Sequence, residues 1–249
     1  MVILKTANTI KKMREAGRLS ALALKVGGEA VKPGVTTAEI DKAIYDFIVS
    51  QGATPSFLNL YGFPASACIS VNDELIHGIP GNRVINEGDI VSIDVGACLD
   101  GYHGDNAATF VAGTASEEAQ KLLDVTKQSL FKGIEAAVVG NRIGDISNAV
   151  QTYCEERGYS VVREFVGHGI GRDVHEDPEV PNFGAAGHGP RLVNGMCIAI
   201  EPMINAGTRF VSMDSNGWTV RTKDGKLSAH FEHTIAITDN GPIILTDPD

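Results

Sequence analysis

Residues 90 to 109 read IVSIDVGACLDGYHGDNAAT, an apolar hairpin pattern with an aspartate set inside each arm, at Asp94 and Asp105. A carboxylate enclosed by apolar strand residues is costly unless it keeps a proton or meets a cation. Any fold of this chain must therefore supply a partner at both positions. A turn at Leu99-Asp100 sets Asp94 directly opposite Asp105, whereas a turn at Asp100-Gly101, a dipeptide favoured in type I′ turns, sets Asp105 opposite Gly96 with Asp94 on the diagonal. Both registers put the two carboxylates on one face, roughly 5 to 8 Å apart at Cβ. Like charges at that spacing repel unless a proton or a cation lies between them.

The same pattern recurs twice further along the chain. MCIAIEPMI carries Glu201 in an apolar strand, and SAHFEHTIAIT carries Glu232. One aspartate alone is more often solvated than enclosed, but four carboxylates in strand-like apolar sequence point to bound metal. Carboxylate-rich sites with an imidazole suit Mn²⁺, Fe²⁺, Co²⁺ or Zn²⁺, and two ions roughly 3.5 to 4 Å apart match a donor set of this size. FVGHGIGRDVHEDP offers His168 between two glycines, which permit close backbone approach to a ligand, and His175 seven residues on. His77, in NDELIHGIPGN, is equally readable as a turn histidine or a site residue.

Composition removes several function classes. The formal charge of −10 argues against a nucleic-acid footprint, which needs clustered Lys and Arg to neutralise phosphates. The one basic cluster, Lys11, Lys12 and Arg14, alternates with Ile10, Met13 and Ala16 at helical spacing and reads as a solvated helix face. The four cysteines form no CxxC pair, which fits a reducing compartment and excludes a cysteine-rich zinc module. The N-terminal MVILKTANTIKKMREAG lacks the apolar core of a secretory signal, and no apolar run approaches the ~20 residues that span a bilayer, so a cytoplasmic location is expected. No GxGxxG between strand and helix, P-loop, GxSxG or HExxH is present.

Helical periodicity predicts four helices. The first runs from Asn8 to about Lys25, and the second lies in PGVTTAEIDKAIYDFIVSQG with a capping box from Thr36 to Glu39 and a terminating Gly52. The third follows Ser116, with Glu117 and Glu118 in its first turn, and the fourth lies in IGDISNAVQTYCEERG. Strand-like segments fill Ala67 to Phe110 and return after Tyr159. Shifting the chain on itself by 106 residues lays Gly34 on Gly140, Ile40 on Ile146, Ala43 on Ala149, Phe47 on Tyr153 and Gly52 on Gly158. The expected organisation is a duplication within one domain of 249 residues, with halves of about 1–112 and 113–249 and a cleft at their junction.

Taken together, IKKMREAGRL, PGVTTAEIDK, FPASACISVNDELIHGIP, GDIVSIDVG, GYHGDNAATF, GHGIGRDVHEDPEVPNFG, IAIEPMI and HFEHTIAIT make the chain resemble the type I methionine aminopeptidases over nearly its whole length. The resemblance implies an α+β pita-bread fold, in which pseudo-two-fold duplicated helix pairs pack on a curved, mainly antiparallel sheet around a dinuclear metal centre. It implies that Asp94 chelates one ion, that Asp105 and Glu232 bridge both, and that His168 and Glu201 bind the other. The ions would be two of Co, Mn, Fe or Zn. His77 and His175 match the family's two substrate-contacting histidines, and Phe63, Cys68 and Trp218 match its methionine pocket. The implied reaction is removal of the initiator methionine from nascent chains with a small second residue, by an activated water for which Glu201 is a proton acceptor. A monomer without nucleic-acid or membrane partners is expected.

Two departures stand out. The family commonly reads Tyr-His-Gly-Phe-Pro where this chain has Leu60-Tyr61-Gly62-Phe63-Pro64, and commonly has Gln where this chain has His230. His230 falls on the strand face of Glu232, from which it would tune the metal or hydrogen-bond a ligand carboxylate. The rival readings are a prolidase or aminopeptidase P, which usually carry a separate N-terminal domain, and a non-catalytic relative, which would be expected to have lost ligands.

Overall fold

The computed structural model describes all 249 residues. Helix α1 spans Ala7–Ala30 and is capped by Thr6, whose hydroxyl accepts the Thr9 amide. It runs past the Lys25 expected from periodicity, because Gly27 and Gly28 stay helical where α1 presses on α2 and on the sheet. A side chain there would overlap Ile44 and Phe110 respectively. Helix α2, Thr37–Ser50, has the expected capping box, with the Glu39 carboxylate accepting the Thr36 amide. Helices α3, Glu117–Ala136, and α4, Ile143–Glu155, complete the set.

The main sheet has nine strands, and every pairing in it is antiparallel. Its path runs Thr54–Pro55, Ile90–Leu99, Tyr102–Val111, Glu232–Thr238, Cys197–Ile200, Gly167–Gly169, Glu176–Val180, with Ala67–Val71 and Gly241–Ile244 pairing onto Ile90–Leu99 and Glu232–Thr238. The carboxylate-bearing strands thus lie at the sheet's centre although their residues come from distant parts of the chain. Packing against α1 is close enough that a Cβ on Gly104 would overlap the backbone of Gly17.

Each helix pair closes its own apolar core. Ile40, Ile44 and Ile48 of α2 pack with Ile69, Val91, Ile93 and Val95 in one, and Leu122, Leu130 and Ile146 of α3 and α4 pack with Ile198, Ile200 and Ile235 in the other. The two helix entries are built alike. Gly34, at φ +92°, donates its amide to Ile85, and Gly140, at φ +98°, donates to Leu192. Thr37 and Ala38 donate to Arg83 and Gly81, while Ile143 and Gly144 donate to Pro190 and His188. Asp145 accepts the Arg142 amide as Glu39 accepts that of Thr36. The fold is a curled antiparallel sheet carrying duplicated helix pairs, and no helix is long and apolar enough to cross a membrane.

Candidate metal centre and substrate cavity

The hairpin turns at Asp100 and Gly101, both left-handed with φ of 51° and 75°. Asp105 accordingly pairs with Gly96, and Asp94 pairs with Ala107. Ala107 also pairs with Glu232 on the next strand, so a row of Asp94, Ala107 and Glu232 crosses three strands with the small alanine in its middle. On the far side of that strand His233 pairs with Ile200, and one more residue along the ladder brings Glu201 beside Glu232. His168 enters from the Gly167–Gly169 strand. Added side chains at Gly167 and Gly169 would overlap the backbone of Ala199 and Asp177. The glycines around His168 therefore serve the packing of its own strand.

All five residues converge. His168 Nε2 lies 3.6 Å from Glu201 Oε1 and 3.8 Å from Asp105 Oδ2. Donor atoms of Asp105, His168 and Glu232 all lie within 4.8 Å of one another. His168 Nδ1 is 2.9 Å from the Gly169 carbonyl oxygen, which can only accept, so Nδ1 carries the proton and Nε2 offers its lone pair to the cluster. Burial holds this imidazole down at about 4, neutral at physiological pH. Burial also raises Asp105 to about 7. Asp94, Glu201 and Glu232 are pushed well above the ordinary carboxylate range, first by burial and then by the neighbouring carboxylates.

The residues fit divalent ions. Asp94 Oδ1, Asp105 Oδ1 and Glu232 Oε1 are buried and have no hydrogen-bond partner. Buried polar atoms are normally paired, and a cation facing all three would satisfy them. Their backbone frame is tied across strands, since Asp105 N–H donates to Thr234 Oγ1 while that hydroxyl donates back to the Asp105 carbonyl. His230 is also brought to the cluster, its buried Nε2 standing 3.7 Å from Glu201 Oε2.

Above this floor lies a cavity of about 130 Å³. Phe57, Phe63, Cys68, Leu60 and Trp218 form its apolar side, Phe63 and Trp218 meeting edge to face at 5.2 Å. Burial and the nearby carboxylates raise the Cys68 thiol well above its usual range, so it is a wall residue and not a nucleophile. His77 lines the cavity 6.4 Å from Trp218, and burial lowers it to about 4. His175 stands at the mouth, its ring 4.5 Å from that of His168 and stacked 5.8 Å from that of Tyr61.

Sequence reasoning missed Phe57, which lines the apolar wall, and Val174, which packs with the wall residues. Val174 was open to discovery as the neighbour of His175, whereas nothing local marks Phe57. Another local signal is backbone strain. Asn59, Tyr61 and His77 adopt positive φ without being glycine, a conformation that clusters at functional sites.

A curled antiparallel sheet with a buried acidic and imidazole donor cluster at its centre defines a metal-dependent hydrolase of the pita-bread class. The chain belongs to metallopeptidase family M24, whose model matches residues 11–239. It is 59% identical, over 99% of both chains, to the methionine aminopeptidase of Clostridium perfringens, and 54% identical, again over 99% of both, to methionine aminopeptidase 1 of Bacillus subtilis. Among solved structures, the methionine aminopeptidase of Rickettsia prowazekii superposes with a TM-score of 0.98 at 43% identity, covering 99% of this chain and 100% of that one. Family and donor cluster together establish divalent-metal use.

Proposed function

We propose that the protein is a metalloaminopeptidase that hydrolyses the initiator methionine from nascent polypeptides whose second residue is small. The observation that carries this reading is the junction of a five-residue metal-donor floor with an apolar cavity flanked by two non-ligand histidines. The set would hold two divalent ions, drawn from Co, Mn, Fe or Zn, with Asp94 serving one, His168 and Glu201 the other, and Asp105 and Glu232 shared between them. Ions held there supply Lewis acidity to the scissile carbonyl and acidify water at neutral pH.

The chain's own groups do the rest. Burial raises the proton affinity of Glu201, which suits a carboxylate that takes a proton from the attacking water. His175 is held below its ordinary value by burial and by His103, and as a neutral imidazole it donates an N–H to the carbonyl oxygen as negative charge develops there. His77 hydrogen-bonds the peptide nitrogen on the opposite side. Phe63, Cys68 and Trp218 enclose the methionine side chain, and the acidic floor favours a free α-amine over a formylated one.

The paired helix entries support one catalytic domain of two similar halves, about 1–112 and 113–249. The reading includes a cytoplasmic monomer that meets chains as they emerge from synthesis, without direct nucleic-acid contact. Methionine release from Met-Ala, Met-Leu and formyl-Met-Ala peptides, by apo-protein supplied with each divalent metal, tests reaction, specificity and cofactor together. Release from Met-Ala alone is expected. Equal turnover of the formylated peptide would overturn the aminopeptidase reading.

A further inference from the structure

The turn that carries His175 is closed by a carboxylate. Glu176 Oε1 accepts the Arg172 amide at 2.9 Å, and Glu176 itself pairs with Gly169 on the strand of His168. Its other oxygen meets Lys5 Nζ, with the two side chains only 5% and 6% exposed. Lys5 is fixed in turn, since its amide donates to the Gly195 carbonyl at 2.7 Å and its Nζ also reaches the Ile3 carbonyl. The lysine stem runs so close under the turn that a Cβ on Gly171 would meet both Lys5 Cε and Glu176 Oε1. Lys5 contributes nothing to the metal floor or the cavity wall.

A carboxylate this enclosed stays ionised inside only beside a cation. Without Lys5, the Glu176 carboxylate would turn outward to water, which releases the Arg172 amide and loosens the turn. His175, the adjacent residue, has little else to hold it. It sits at the open mouth, contacts Tyr61 and His168 through its ring, and has no side-chain hydrogen bond that would fix its direction.

We propose that Lys5 is a positioning residue for catalysis: its buried ion pair with Glu176 holds the 172–176 turn, and with it the His175 imidazole, in the attitude from which it donates to the substrate. This rests on the reading of His175 as the donor to the scissile carbonyl oxygen. The pair joins an N-terminal segment, outside the sheet, to the geometry of the cavity mouth.

A kinetic double-mutant cycle on the metal-loaded enzyme tests it. Lys5→Met is expected to lower kcat on a Met-Ala peptide on the order of tenfold to a hundredfold, the scale on which a remote substitution misplaces a catalytic group. KM and bound metal should hold. In a His175→Ala background the same substitution should cause no further loss of kcat. Glu176→Gln keeps an acceptor for the Arg172 amide but loses the ion pair, and passing it through the same cycle keeps the test decisive if Lys5→Met fails to fold. Equal losses of kcat in both backgrounds, or a loss of metal, would overturn the positioning role. If His175→Ala alone leaves kcat intact, it is the donor role of His175 that fails, and the proposal falls with it.

Discussion

The floor of the cavity and its mouth are built by opposite means. The floor residues Asp94, Asp105, His168 and Glu232 lie within strands of the main sheet, and Glu201 directly follows one. Their spacing is set by ladder register, which a side chain cannot alter without breaking backbone hydrogen bonds. The mouth residues His77, His175 and Tyr61 lie on turns or at their edges, two of them in left-handed conformations. The difference teaches that this fold commits its most rigid element to holding charge. It leaves the cavity mouth to segments whose sequence can change without disturbing the sheet.

Asp105→Asn and Glu232→Gln should have the largest effect, removing metal binding and activity together, because each takes a charge from the centre of the donor set. Elemental analysis beside kinetics checks this, and a metal-loaded mutant with normal turnover would break the division between floor and mouth. His175→Ala should keep its metal and lose kcat by about 10² to 10³, as for removal of one oxyanion donor.

The floor alone should show a pH-dependent affinity for metal. Asp105 holds a proton below about 7, which a cation must displace, so apparent affinity should fall as pH drops through that value, by about tenfold per unit for each proton released. His168, held at about 4, adds no competition in that range. Calorimetric titration between about pH 6 and 8 measures it, and a flat affinity would mean that the carboxylates ionise without the ion. On the apolar wall between floor and mouth, Phe63→Ala should raise KM by about tenfold, through loss of ~1.5 kcal/mol of apolar contact, with kcat little changed. Smallest is Thr36→Ala, in the capping box of α2 and remote from both regions. It should cost about 1 kcal/mol in urea unfolding and leave both kinetic constants alone.

Much of the floor was legible because strand side chains alternate with a period of two. Asp94 and Asp105 share a face in either register, and apolar runs around Glu201 and Glu232 mark the same anomaly. The Asp-Gly turn decided the register locally, through two consecutive positive φ values. Helix caps were legible for a similar reason, since Thr36 with Glu39 and Ser116 before an acidic first turn act within one turn of backbone. The length of α1 was not, because Gly27 and Gly28 stay helical where Ile44 of α2 and Phe110 of the sheet close over them, contacts that no local pattern shows.

The sequence by itself determined that buried carboxylates must share a face and need a proton or a cation, since alternation and desolvation act between neighbours along the chain. Only the tertiary structure decided which histidines meet them. His168 faces Glu201 and Asp105, His230 stands at Glu201's other oxygen, and Phe57 closes the wall. Lys5 reaches Glu176 across 171 residues of chain. Contacts at such separation depend on how the sheet curls and how its strands are ordered, which no local pattern encodes.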